Sequence, residues 1–478
     1  MNFIVIISDT LRRDHLGCYG NNWISTPNID AFASKSLVFD CAYTGSFPTV
    51  PHRRDVMTGR YSATYTPWAP LAADEKILAG VLTKADYATM MVCDCPHIME
   101  NGYFYDRGFE GFEWIRGQES DRWRTQPEIP KHPCDPAKIR GRNWLGKRHR
   151  RNVADWRFES DRFVARTMSA ACDWLETNYK HKQFFLYVDT FDPHEPWDAP
   201  QWYVDMYDPG YKGEVVDYPR YAYTDFLTPE ELRHCRALYA AEVTLVDRWV
   251  GRLLHKISDL GLMDSTVVIL TTDHGFLHGE HGIIGKALID DVNPGGGMTY
   301  IPLYEEINHI PLIISRPGGP KGRTSAMVQP ADFMPTILDV AGVEPPDSVQ
   351  GKSFAPVLAD PAREARKFAV SLPFLGAGRV PVTVVRDRWS AVLYPSQAPS
   401  AGGTDKAVDG RDKTGAQAER AEDLLFDLQA SPAQDKSVAK DHPERMSELR
   451  ELLVEFLYET GTADEHRKRW ERPPAEGK

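Results

Sequence analysis

Apolar residues along this chain fall into short unbroken runs, separated by stretches with helical spacing. The first run, residues 3–7, is β-branched at every position after Phe3. It reads as a strand buried on both faces of a parallel sheet. Similar runs follow at Ala88–Cys93, 184–188, 266–272 and 311–314. Between them, residues 75–85, 163–179 and 335–341 have apolar positions at helical spacing. Thr228-Pro229-Glu230-Glu231 is a capping box with proline at the first helical position. It opens a long helix whose stripe through Leu238, Leu245 and Leu253 reads as core. This alternation predicts an α/β fold, with a large mixed, mostly parallel sheet flanked by helices.

Near residue 367 the pattern changes to short strands with turns between, at 368–370, 382–385, 389–394 and 424–428. These predict a smaller C-terminal antiparallel sheet, followed by an amphipathic helix over 444–458. The expected division is a catalytic α/β domain over 1–366 and a small α+β subdomain with a tail over 367–478. Residues 115–158, rich in Arg, Trp, Pro and Gly, read as an insertion that shapes the substrate pocket. Residues 396–419 read as a polar loop, and the charged tail beyond Gly461 as frayed.

The chain has 478 residues and a formal net charge of −12, which argues against a general nucleic-acid-binding surface. One basic run, residues 140–151, reads either as a solvated loop or as a site for an anion. The seven cysteines are scattered and odd in number, which suits free thiols in a reducing compartment. No secretory signal is visible, and no apolar run approaches the ~18 residues of a membrane span. The expectation is a soluble cytoplasmic protein with no nucleic-acid or membrane partner. A homo-oligomer is left open.

Several polar clusters fall just beyond predicted strand ends, where ligands bind in open α/β sheets. Asp9 follows the first strand and His97 follows Ala88–Cys93. Asp192 and His194 follow 184–188, and Asp273 and His274 follow 266–272. Each has an ordinary alternative as a turn or loop residue. Adjacent Asp273 and His274 can both reach a metal if the backbone turns, and Gly275 permits the turn. Residues 44–60 read as a loop entering a short helix, with Pro51 at its first position and Gly59 just past its end. Thr49 then stands by the helix N-terminus, where free N–H groups favour an anion, with Arg53 one turn on. That suits a hydroxyl nucleophile beside an oxyanion site. A threonine N-cap with solvated arginines is the plain alternative.

Together these pieces resemble the sulfatase family of the alkaline phosphatase superfamily. The likeness begins with Ile6-Ile7-Ser8-Asp9, Leu16-Gly17-Cys18-Tyr19-Gly20, Thr49-Val50-Pro51-His52-Arg53 and Met57-Thr58-Gly59-Arg60. It continues with Asp192-Pro193-His194-Glu195-Pro196 and with Thr272-Asp273-His274-Gly275 through Gly285-Lys286, in matching order to about Leu428. The resemblance implies an alkaline phosphatase-like fold and a metal-dependent hydrolase of small anionic esters. Asp9, Asp273 and His274 would bind a divalent metal, and Thr49 would be the nucleophile and a further ligand. Arg53 would steady Thr49 and the charge on the ester. Lys286 and His194 would contact the transferred group's oxygens, and His97 would lie near the nucleophile or leaving group.

Four departures change the expected chemistry. Sulfatases place Cys or Ser, oxidised to formylglycine, where this chain has Thr49. They usually have a second acid where it has Thr10, often a lysine where it has Cys95, and a serine where it has His52. Threonine cannot form the aldehyde, so a covalent Thr49 ester must be opened by water at its central atom. That favours phosphodiesters or phosphonate monoesters as substrates. Sulfate esters are the alternative; a phospho-group transferase and a non-catalytic binding protein are further ones. Without the second acid the donor set suits Mn²⁺ or Zn²⁺ better than Ca²⁺. Asp189, Asp192, His194, His281 and His309 are the candidates for a second metal, although Asp192-Pro193-His194 fits the one-metal pattern.

Overall fold

The computed structural model describes residues 1–141, 144–290, 297–395 and 422–471. Its main sheet has eight strands. They are β1 (Asn2–Ser8), β2 (Leu37–Ala42), β3 (Ala88–Cys93), β4 (Gly111–Trp114), β5 (Phe184–Thr190), β6 (Thr266–Thr271), β7 (Leu312–Ser315) and β8 (Gly322–Val328). Their order in space is β8-β2-β7-β6-β1-β5-β3-β4. Strands β6, β1, β5, β3 and β4 pair in parallel, whereas β7 runs against both β6 and β2. The sheet is therefore mixed and mostly parallel, as the sequence pattern predicts. Ile7 pairs with Asp189 and Thr271, and Cys93 pairs with Asp189. The strands end level, so the residues that follow them share one edge.

Helices α1 (Thr49–Thr58), α2 (Leu145–Asn152), α3 (Phe163–Asn178), α4 (Pro229–Asp259), α5 (Phe333–Ala341) and α6 (Pro443–Glu459) carry most of the packing against the sheets. Successive strand residues point to opposite faces. Ile4, Ile6, Leu186 and Leu270 pack with Met168 of α3 and Leu245 of α4. Phe3, Val5, Phe185 and Ile269 pack with Val56 of α1 and Leu338 of α5. Thr228 caps α4 as expected, accepting a bond from Glu231 N–H.

The sequence pattern does not announce β4 or β8. Both are edge strands with solvent-facing residues, so their apolar signal is thin. Helix α1 begins at Thr49, and Pro51 is its third residue rather than its first. First-turn N–H groups have no intrahelical partner, so proline loses no bond there. The helix expected over 75–85 starts later, at Leu78. Part of the aperiodic 115–158 segment is the helix α2.

In the C-terminal region, Ala369–Ser371, Val382–Arg386, Trp389–Leu393 and Leu424–Asp427 form a four-stranded antiparallel sheet. Leu449, Leu453 and Phe456 of α6 cover it, in a core that also takes in Tyr61 and Ala63 just after α1. Phe47 N–H donates to Leu372 O at 2.9 Å, and Leu372 N–H donates to Gly45 O at 3.0 Å. This sheet thereby braces the loop that leads into α1. The tail is not frayed as far as Trp470, which is buried in the same core. The loop expected over 396–419 lies outside the described residues.

Candidate active site

Asp9 directly follows β1 and is fully buried. Thr10 follows at φ +56°, a left-handed conformation that a β-branched residue rarely adopts. Its N–H donates to Asp273 Oδ1 at 3.0 Å, tying the ends of β1 and β6 together. His274 Nδ1 lies 3.0 Å from Gly275 O, so Nδ1 carries the proton and Nε2 is left as an electron-pair donor. Gly275 does not have a positive φ. A Cβ there would stand 1.9 Å from Glu306 O, so this glycine serves a close backbone approach rather than the turn expected from sequence.

Asp9, Asp273 and His274 each offer one ligand atom within 4.8 Å of the others. Both Asp9 oxygens are buried and accept no hydrogen bond, although Arg53 Nη1 lies 3.0 Å from one of them. Burial, and then the charge of Asp273, push the Asp9 carboxyl well above the ordinary carboxylate range. Two buried acids and an imidazole with an unprotonated Nε2 fit a divalent metal. Among the described residues no second such group occurs. Asp189 is taken by Arg53, and Asp192 accepts from Val164 N–H at 3.0 Å and Gln118 Nε2 at 2.8 Å. His281 stacks on Tyr304 and His309 on Tyr43.

Arg53 is wholly buried. Its Nε and Nη2 donate to the two oxygens of Asp189 at 2.8 and 2.7 Å. Its Nη1 donates to Asp273 Oδ2 at 2.7 Å and to Thr49 O at 3.2 Å. The guanidinium is thus a rigid strut between the strand ends and the first turn of α1. Thr49 is the first residue of α1, with Pro48 in the capping position and no side-chain cap, so the N-cap alternative does not hold. Its Oγ1 lies 3.3 Å from Lys286 Nζ. Lys286 follows the short strand Ile283–Gly285, and its Nζ lies 3.2 Å from His274 Nε2 and 4.0 Å from Asp9 Oδ1.

His194 and His97 flank the cavity from the other side. His194 Nδ1 lies 2.7 Å from Glu195 O, and its Nε2 lies 3.4 Å from Tyr221 OH. Burial, and then the charge of Lys286, hold its pKa well below the ordinary histidine value, so the ring is neutral. His97 is partly open to the cavity, and its Nε2 lies 3.0 Å from Oε2 of the buried Glu119. Tyr218 OH donates to Glu119 Oε1 at 2.7 Å, and Arg140 Nη2 donates to the same oxygen. The cavity holds about 250 Å³ and is walled by Phe47, Trp68, Trp144, Leu145, Ile289 and Met298 beside Thr49.

The structure brings together every residue singled out for the site: Thr49, Arg53, His97, His194, Lys286, Asp9, Asp273 and His274. Sequence reasoning misses Glu119, Arg140 and Tyr221, and assigns Asp189 to a different role. Arg140 opens the basic run read either as a solvated loop or as a site for an anion; it is buried against Tyr218 and Tyr221, 4.8 and 4.3 Å from their ring centres. No local motif marks these positions. Asp189 did carry a signal, as an acid at the end of a buried strand.

The sequence profile of the sulfatase family matches residues 1–343. An arylsulfatase of Clostridium perfringens is 24% identical over 507 aligned residues, covering 95% of this chain and 94% of the relative. An N-acetylglucosamine-6-O-sulfatase of Bacteroides thetaiotaomicron is 27% identical, over 75% of this chain and 70% of that one. The solved phosphonate monoester hydrolase of Agrobacterium radiobacter superposes with a TM-score of 0.69 at 20% identity, covering 96% of each chain. With the family profile running from the first strand through α5, this chain belongs to the sulfatase family.

Proposed function

We propose that this protein hydrolyses small, singly charged esters at a one-metal site, that Thr49 takes up the acidic half, and that sulfate monoesters are its substrates. The observation that carries the reading is the convergence at Lys286. Its Nζ lies 3.3 Å from Thr49 Oγ1, 3.2 Å from His274 Nε2 and 4.0 Å from Asp9 Oδ1. Asp9, Asp273 and His274 would hold the metal, with Mn²⁺ or Zn²⁺ suited to the mixed oxygen and nitrogen donors. When bound, the cation supplies positive charge that lowers the proton affinity of a nearby hydroxyl. Arg53 fixes the first turn of α1, and so the place of Thr49, through its bonds to Asp189, Asp273 and Thr49 O.

Charge balance supports the monoanionic class. Asp189 offsets Arg53, and Asp9 and Asp273 together offset a divalent ion. Lys286 is left as the net positive group facing the substrate, with neutral His194 beside it. One positive charge suits a sulfate monoester, a phosphonate monoester or a phosphodiester better than a doubly charged phosphate monoester. The apolar walls from Trp68, Trp144 and Met298 suit an uncharged, ring-bearing leaving group.

Within that class, the sulfatases among the relatives favour sulfate. Phosphonate monoesters and phosphodiesters, which Thr49 chemistry alone favours, form the second reading, and the phosphonate monoester hydrolase neighbour supports it. The test is a panel of nitrophenyl sulfate, nitrophenyl phenylphosphonate and bis(nitrophenyl) phosphate, with metal-loaded protein. The first reading predicts the highest kcat/KM on the sulfate. A preference for either phosphorus ester by tenfold or more would replace it with the second.

A further inference from the structure

We infer that Glu119 is a specificity-determining residue, whose Oε2 accepts a hydrogen bond from a hydroxyl that the leaving group carries beside the ester oxygen. The substrate is then a ring with two neighbouring oxygens, one esterified and one free. The inference rests on the ester hydrolysis proposed above, and holds whether the transferred group is sulfate or phosphonate.

Glu119 lines the cavity together with Thr49 and is only 1% exposed. Its two oxygens are treated unequally. Oε1 accepts from Tyr218 OH at 2.7 Å and from Arg140 Nη2. Oε2 accepts no hydrogen bond. His97 Nε2 lies 3.0 Å from Oε2 but out of line for a hydrogen bond, so the imidazole has no polar hold on that oxygen and can yield the place to a substrate hydroxyl. A buried acceptor left without a donor is costly. A purely structural ion pair would use both oxygens. Asp189 does so, taking Nε and Nη2 of Arg53 on one oxygen each at 2.8 and 2.7 Å. In the second pair, Arg140 Nε and Glu119 Oε2 both stand without a hydrogen bond. The backbone of Glu119 also sits at φ +39°, a costly conformation for a residue with a Cβ.

A fixed acceptor selects a donor. Burial pushes the Glu119 carboxyl up, but His97 and Arg140 outweigh it and hold the group well below the usual carboxylate range, so Oε2 belongs to an ionised acid. The cavity holds about 250 Å³, so the donor must lie within a few bonds of the ester oxygen. Trp68 and Trp144 line the same space and suit the face of a ring. Arg140 already offsets the charge of Glu119, so a neutral donor suffices and a cation is not called for. A hydroxyl on the neighbouring ring atom meets all three conditions. A methyl ether there has no proton to give and leaves Oε2 without a partner.

The test measures kcat/KM of full-length, metal-loaded protein on three nitrophenyl sulfates that carry a hydroxyl, a methoxy group or hydrogen beside the ester oxygen. Wild type is compared with Glu119→Gln, which keeps an oxygen for Tyr218 and Arg140 and puts an N–H in place of Oε2. Each ester's own reactivity is the same for both proteins, so a change in ratio reads the contact. The hydroxy-to-methoxy and hydroxy-to-hydrogen ratios should both fall about 10- to 100-fold in Glu119→Gln, with the loss in the hydroxy ester. A second arm needs neither turnover nor a variant. By calorimetry, wild type should bind the free hydroxyl-bearing nitrophenol about 10-fold or more tighter than its methyl ether. Equal affinity for the two phenols would overturn the inference, and so would ratios that Glu119→Gln leaves unchanged. If phenylphosphonates of the same three alcohols turn over better than the sulfates, a fall in their ratios upholds the role of Glu119 while the sulfate reading falls.

Discussion

Asp9, Asp189, Asp273 and His274 stand on the ends of β1, β5 and β6 and are wholly buried, whereas His97, Glu119, Arg140 and Trp144 reach the opposite wall from a short helix and irregular segments. The first group is held by parallel strand pairing and by Arg53, and has little freedom to move. The second is held by side-chain contacts and scattered backbone bonds such as Arg140 N–H to Tyr218 O at 3.0 Å, and Trp144 is half exposed at the rim. The difference separates two tasks. On the proposed function, chemistry common to one acidic group falls to the rigid edge of the sheet, and recognition of the leaving group to segments that can change without disturbing the sheet.

The comparison breaks most sharply at the sheet edge. Thr49→Ala should lower kcat/KM by about 10⁴-fold with the fold intact by circular dichroism. Asp9→Asn should lose bound metal together with activity, by about 10³-fold or more, read by elemental analysis and kinetics on one sample. Arg53→Lys keeps the charge but loses the paired bonds to Asp189, leaving buried carboxylates without donors. A loss of about 3–5 kcal/mol in urea unfolding is expected. Gly275→Ala should follow, because its methyl would meet Glu306 O at 1.9 Å and must displace backbone. A fall of several degrees in Tm is the readout.

This contrast also explains what the sequence discloses. Unbroken apolar runs show where β1, β5 and β6 end, so Asp9, Asp273 and His274 can be found from the chain alone. Arg53 is found by its spacing from Thr49. Glu119 and Arg140 enter the site only because loops fold back across the sheet edge, and no periodicity or short motif encodes such a contact. Gly275 is legible as special, but its reason, Glu306 O pressing on it from far along the chain, is visible only in three dimensions.

Smaller effects sharpen the contrast further. Burial pushes the His52 pKa down to about 3, beside an ordinary value of about 6.5 in the unfolded chain. Between those values the unfolded state binds the extra proton, so stability falls as pH is lowered through that window. His52→Asn should flatten this slope in urea midpoints taken from pH 7 to pH 4. At the cavity rim, Trp144→Ala should raise KM about 10-fold for ring-bearing esters and leave it nearly unchanged for small alkyl ones, with unfolding midpoints unmoved.

The central claim is that Thr49 carries the acidic half of the ester. Rapid quench of metal-loaded enzyme with substrate labelled at sulfur, followed by peptide mass spectrometry, tests it most directly. The account predicts the label on the peptide containing Thr49 within the first turnover, and its absence in Thr49→Ala. Full turnover by the wild-type enzyme with no label at Thr49 at any quench time would contradict it.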